Sequence, residues 1–384
     1  MQTQSSRSSA VTLAPYRVAV PQAAIDDLLR RVASTRWPHA VPAPADRESG
    51  TAPDFLQRLA GHWLDRWDWR AEEAGLNAWP QLIATVEGTP IHVIHVRSPE
   101  PDAMPLILTH GWPGTGFDFT SVIGPLSDPR AHGLDPAQAF HLVIPTIPGF
   151  GFSGPLEGHG WDAVRVARAW IAVMDAFGYE RFGVHGGDWG TPVSLAIGQL
   201  APDRVIGVHL SYLGTRAPLD DPTLNQVDRD RLGRTADYVS NPAGYWVLQS
   251  TRPLTLAYAL ADSPVGQFAW IADRIQAWMD PSSALDQDRL LTTASIFWLA
   301  NTADSSSRLH FTTAGVRGGP QPCPVPVGVA VSPHDIILPS RTVAERTYDV
   351  VHWTEFPRGG HFPAIEVPDL LSGDLRAFFG QLGS

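Results

Sequence analysis

The chain has 384 residues, 43% of them hydrophobic and 17% charged, which suffices for a large buried core. A formal net charge of −11 speaks against nucleic acid or an anionic membrane as partner. The single cysteine, Cys323, allows no intramolecular disulfide and fits a reducing compartment, and all 28 basic side chains are arginines.

Residues 1–14 are polar and Ser-rich and read as a loose tail. No apolar signal region opens the chain and no stretch has transmembrane length, so a soluble, cytoplasmic protein without a membrane partner is expected. Ile25, Leu28, Leu29 and Val32 stand at i, i+3, i+4, i+7 and predict an amphipathic helix. Phe55, Leu59, Trp63 and Leu64 predict a second, beyond a Pro/Ala-rich loop over Pro38–Pro53. Residues 1–81 are therefore expected to form an N-terminal helical extension packed on the rest.

From about residue 82 the period changes. Ile91–Val96 alternates as a strand; Pro105–Thr109, His141–Pro145, Phe182–His185 and Val205–Leu210 are apolar runs ending in turn residues. Helices fall between them, at Val164–Phe177 and from Thr191. Val325–Val331 and Val350–Glu355 follow much later. Strands alternating with helices imply an α/β fold with a mostly parallel central sheet and helices on both faces. The core is expected in two parts, 82–213 and 319–384. Residues 214–318 lose the strand signal and read as a helical lid over the carboxyl ends of the strands, where such sheets bind ligands. Cys323, between prolines, reads as a bystander.

Gly186-Gly187-Asp188-Trp189-Gly190 follows a strand and precedes a helix, the setting of a nucleophile elbow. Small residues let the backbone turn sharply and lift one side chain, here a carboxylate; the plainer alternative is an Asp helix cap. An aspartate attacking an sp3 carbon forms an alkyl-enzyme ester, which water then hydrolyses. His110-Gly111-Trp112-Pro113-Gly114 follows an earlier strand, so the backbone N–H groups of Trp112 and Trp189 are the candidate oxyanion hole. Asp335 and His361 each fall just past a strand and complete the order nucleophile, acid, histidine of the α/β-hydrolase fold. His361 would deprotonate the water and Asp335 would hold its tautomer. Phe150, Phe152, Trp246 and Trp298 are candidates to line an apolar pocket, although aromatic rings are also ordinary core. His185 reads as a core histidine. No metal spacing, phosphate loop or dinucleotide fingerprint occurs in the right context, so neither metal nor cofactor is expected.

Taken together these segments resemble the microsomal-type epoxide hydrolases. The resemblance includes Trp67-Asp68-Trp69-Arg70 and Leu76-Asn77 in the extension, His110–Gly114, Gly186–Gly190, Asp262-Ser263-Pro264-Val265-Gly266 in the lid, and Arg358–Phe362. It implies opening of a small apolar or aromatic epoxide to a vicinal diol through an Asp188 ester. Mammalian members carry an N-terminal membrane anchor, and a member without one is expected here. Some bacterial relatives act in natural-product biosynthesis, and a homo-oligomer is left open. The family protonates the leaving oxygen with two lid tyrosines. Tyr245, in Gly244-Tyr245-Trp246, matches the first; the second position falls on His310, so ring opening rests either on Tyr245 with His310 as an imidazolium acid or on Tyr245 alone, with His310 a lid-surface residue. A haloalkane dehalogenase with the same Asp/His/Asp set is the alternative activity, and a non-catalytic relative is a further one. Asp at 188 disfavours a serine esterase.

Overall fold

The computed structural model describes residues 11–38, 50–156, 160–240, 244–314 and 321–383. Among these residues one sheet holds β1 (Thr12–Tyr16), β2 (Gln81–Val86), β3 (Thr89–Val96), β4 (Met104–Thr109), β5 (Phe140–Pro145), β6 (Phe182–Gly186), β7 (Val205–Leu210), β8 (Cys323–Val331) and β9 (Tyr348–Glu355). Their spatial order is β1-β2-β3-β5-β4-β6-β7-β8-β9. The pairings from β1 to β5 are antiparallel and those from β5 through β4 to β9 are parallel. The central strands are mostly apolar because helices cover both their faces; every residue of β6, His185 included, is buried.

The expected loose tail needs correction, since Thr12, Leu13 and Ala14 belong to β1, an edge strand paired with β2. Residues 1–10 of that tail, residues 39–49 of the Pro/Ala-rich loop, and Gly318–Pro320 before Cys323 lie outside the described residues. Cys323 itself is buried at the start of β8. The extension continues with α1 (Gln22–Ala33), α2 (Pro53–Asp65) and α3 (Trp69–Leu76).

Helix α4 (Thr120–Ser127) and the C-terminal helix Pro368–Leu382 cover one face of the sheet, and α5 (Ala163–Ala176) and α6 (Gly190–Leu200) cover the other. Glycines at 183, 207 and 328 on three strands make the groove into which Phe378 and Phe379 pack. On the opposite face Trp170 of α5 donates its indole N–H to Thr109 Oγ1 at 3.0 Å, fastening the end of β4 where the site begins.

The lid consists of α7 (Gln226–Ser240), α8 (Gly244–Thr251), α9 (Pro253–Asp262), α10 (Pro264–Trp278), α11 (Gln287–Leu299) and α12 (Ala303–Ala314). The extension grips it. Trp63 meets Phe268 edge-on at 5.5 Å, Trp67 donates to Thr292 Oγ1 at 3.2 Å, and His62 lies 2.6 Å from Asp288. No helix among the described residues is long and apolar enough to cross a membrane.

Candidate active site

Asp188 sits between β6 and α6 with φ +50°, a left-handed conformation that non-glycine residues seldom adopt. Crowding explains the small residues around it. A Cβ at Gly111 would collide with the Asp188 side chain, one at Gly190 with the Thr109 carbonyl, and one at Gly187 would come within 2.5 Å of Ser211 Oγ. The backbone of the His110–Gly114 turn can therefore lie directly against the carboxylate. Trp112 N–H donates to Asp188 Oδ1 at 2.8 Å, and the Trp189 N–H also bonds this carboxylate. Both expected oxyanion donors thus face Asp188.

His361 stands on the loop after β9. Its Nδ1 is 2.7 Å from Asp335 Oδ1, and its Nε2 is 3.5 Å from Asp188 Oδ2. Asp335 is held in turn: its Oδ1 accepts from Ile336 N–H at 2.7 Å, and Arg234 of α7 donates to its backbone carbonyl. The His361 N–H donates to the Trp278 carbonyl at 2.9 Å, and Gly360 lies so close to Asp280 that a Cβ would collide with its backbone nitrogen. The rings of Trp278, Tyr212 and Phe362 enclose the imidazole at 5.0–5.3 Å. Burial opposes its positive charge, but Asp335 and Asp188 outweigh burial and raise it to about 10. For Asp188, burial favours the neutral acid, yet His361 and the two N–H donors hold the carboxyl below its ordinary value. The three side chains expected as nucleophile, histidine and acid are thus brought together, with Nε2 buried and lacking a hydrogen-bond partner.

The lid supplies the opposite wall. Tyr245 of α8 stacks on Trp112 with centroids 5.2 Å apart and planes 6° off parallel. Burial, reinforced by Tyr238, pushes its phenol well above the ordinary value, so it is a neutral O–H donor. Trp246 stacks on Trp189 at 5.9 Å. His310 of α12 lies edge-on to Trp112, Trp189 and Trp246, so the sequence register did bring it to the site. Its expected charge needs correction: burial, only partly opposed by Asp188, lowers it to about 4. The Gln249 amide nitrogen lies 3.1 and 3.5 Å from its two ring nitrogens, a position over the ring rather than along either lone pair, and the Gln249 oxygen is taken by Trp270 Nε1–H at 2.8 Å.

Three expected pocket residues lie elsewhere. Phe150 is fully buried between His110 and Phe297. Phe152 packs with Tyr16, His92 and Phe117 beneath β1. Trp298 faces Arg31 of α1, whose guanidinium is 5.7 Å from its ring centroid. The loop after β5 turns Phe150 into the core and Phe152 toward the extension, and the face of α11 turns Trp298 toward the extension, directions that composition does not reveal. His185 is a core histidine, 3.0 Å from His209, which is bound to Asp374. Sequence reasoning missed Trp278 and Tyr238, whose hydroxyl is 3.4 Å from that of Tyr245; neither sits in a motif.

Comparison with known proteins gives the chemistry a context. A family model for the epoxide hydrolase N terminus matches residues 13–119, and one for the alpha/beta hydrolase fold matches residues 104–244. A Stigmatella aurantiaca protein described as "Putative epoxide hydrolase" is 41% identical over 96% of this chain and 85% of its own length. Epoxide hydrolase 1 of Sus scrofa is 31% identical over 97% of this chain and 89% of its own. The solved structure of the Aspergillus niger epoxide hydrolase superposes with a TM-score of 0.87 at 28% identity, covering 98% of both chains.

Proposed function

Because this chain belongs to the microsomal-type epoxide hydrolase family and is an epoxide hydrolase, we propose that Asp188 opens the ring and that His361 drives hydrolysis of the resulting ester. The observation that carries this assignment is the hold on one carboxylate from two sides. Oδ1 is engaged by the Trp112 N–H at 2.8 Å, while Oδ2 stands 3.5 Å from His361 Nε2. Oδ2 is the oxygen left to attack carbon. As the Oδ2–C bond forms, the ring C–O bond breaks, and the departing oxygen takes the proton of the Tyr245 hydroxyl. The neutral His310 ring serves as a second hydrogen-bond donor to that oxygen.

Alkylation removes the Asp188 charge. One of the two anions raising the His361 pKa is then gone, so the imidazolium gives up its proton, the Tyr245 phenolate takes one back, and the ring becomes a neutral base. A water attacks the ester Cγ, Nε2 takes its proton, and the oxyanion forms on Oδ1 at the Trp112 and Trp189 N–H groups. On collapse the diol oxygen leaves with the proton of the newly added hydroxyl, and the carboxylate is restored with Nε2 protonated as at rest. Asp335 fixes the imidazole tautomer throughout. Walls of Trp112, Trp189, Trp246 and Trp278 suit a small apolar or aromatic epoxide. A phenol facing the nucleophile suits a leaving alkoxide better than a leaving halide, which needs no proton.

In H₂¹⁸O with styrene oxide, the first turnover of excess enzyme is expected to give unlabelled diol and to leave ¹⁸O on Asp188. In His361→Gln a covalent adduct should persist on the Asp188 peptide by mass spectrometry. Labelled diol in the first turnover, with no adduct in the variant, would mean direct attack by water and would end the assignment.

A further inference from the structure

Ester hydrolysis needs a water next to Asp188 at the moment when the bound substrate occupies the lid side. That side is already narrow, with Tyr245 on Trp112 and Trp246 on Trp189. A cavity of about 40 Å³ reaches Asp188 and His361 from elsewhere, and its lining includes no lid residue. At about 10–15 Å³ per water it has room for a few molecules. A second cavity, of about 210 Å³, shares Asp118, Phe362 and Ile365 with the first. A third, of about 460 Å³, shares Asp118, Asp286, Arg289 and Thr293 with the second and reaches Gly75 and Asp288, exposed residues of the extension and the lid. The three adjoin one another through these shared residues, in a line that leads from the surface to Asp188.

Asp118 lines all three. It belongs to the short 3-10 turn Gly116–Phe119, and its Oδ2 lies over Gly114, where any Cβ would collide with it. Arg289 secures this turn by donating to the carbonyls of Phe117 at 3.2 Å and Asp118 at 2.9 Å, but it forms no ion pair with the carboxylate. Burial raises the Asp118 carboxyl to about 6 against the pull of Arg289. It remains largely ionised at neutral pH and is a strong acceptor for water.

Resting on the Asp188 ester reading, we propose that this path supplies the hydrolytic water and that Asp118 is the positioning residue that holds and orients water along it. The mechanism used so far gives Asp118 no part. The test separates the two half-reactions by stopped flow, reading the fluorescence of Trp112 and Trp189 beside the ester with styrene oxide as substrate. Asp118→Ala should slow hydrolysis about 10-fold or more while alkylation changes less than about 2-fold. Ester should then accumulate by mass spectrometry, and kcat and KM should fall together. Asp118→Glu should restore part of the hydrolysis rate. Thr293→Trp, which plugs the junction of the outer cavities and leaves Asp118 in place, should show the same split. If ester forms and decays at wild-type rates in folded Asp118→Ala and Thr293→Trp, or if both half-reactions fall equally, the water path is wrong. If wild type never forms an ester, the Asp188 reading has failed instead.

Discussion

His310 is enclosed by the rings of Trp112, Trp189 and Trp246, and burial takes its pKa down to about 4. Between pH 6 and 8 its charge is therefore constant, and so is that of His361, raised to about 10. The alkylation rate of the wild type is expected to be level across that range. His310→Ala should lower it by about 100- to 1,000-fold at every pH, as the loss of one donor to a developing oxyanion does. Rapid-quench measurement of ester formation at pH 6, 7 and 8 checks this; a rate that climbs below neutrality in the wild type alone would show that an imidazolium supplies the proton. The position of this histidine was legible from its register with the family's second tyrosine. Its protonation was not, because that depends on three indoles and an amide brought from three separate segments. Asp188, Asp335 and His361 were legible for the opposite reason. Each falls shortly after a strand, and the glycines beside Asp188 and His361 record local crowding.

At the scale of elements, the N-terminal extension is a clamp on the lid. Trp63 of α2 is fully buried between Trp67 and Phe268 of α10, and its indole N–H has no hydrogen-bond partner. Trp63→Ala should cost about 3–5 kcal/mol in urea unfolding, from lost burial plus the cavity left behind. Trp63→Phe should cost clearly less, since it retains a ring and removes an unpaired buried N–H. Equal losses for both would show that shape matching at this contact, and not burial, sets the stability. The helical pair of the extension could be read from apolar spacing at 3–4 residues. Strand β1 could not: Thr12–Tyr16 is an edge strand containing Pro15, exposed over its first four residues, so no alternation betrays it. The direction of the Phe150 and Phe152 rings was hidden for a similar reason, since the path of a loop depends on the surface it crosses.

Across the whole molecule, the fold buries several histidines in neutral form, and this sets how it responds to acid. His92 is lowered to about 3, and His110 and His310 to about 4, in each case by burial first. For His110 the hydrogen bonds agree: Nε2 accepts from the Ile147 N–H at 2.9 Å, which an imidazolium could not do, and Nδ1 donates to the Gly111 carbonyl at 2.9 Å. The unfolded chain protonates these rings near the ordinary 6.5, the folded chain only at about 3 to 4. Stability is therefore full above 6.5 and declines as pH falls, because the unfolded state binds more protons. His361 acts in the opposite sense: raised to about 10, its contribution is complete below 6.5 and fades as pH rises toward 10. Near pH 5 it is protonated in both states and adds no slope, so the buried neutral rings dominate there, these three together with His185 and His95, which burial also lowers. The combined slope of the five approaches at most about 7 kcal/mol per pH unit, from roughly 1.4 per proton. Urea unfolding at pH 7, 6 and 5 should show a stability that drops progressively more steeply. His92→Gln, remote from Asp188 and within reach of the same Gln81 and Thr146 partners, should reduce the acid slope by about one proton and leave the alkaline limb unchanged. A wild-type slope of one proton or fewer near pH 5 would mean that these rings accept protons inside the fold.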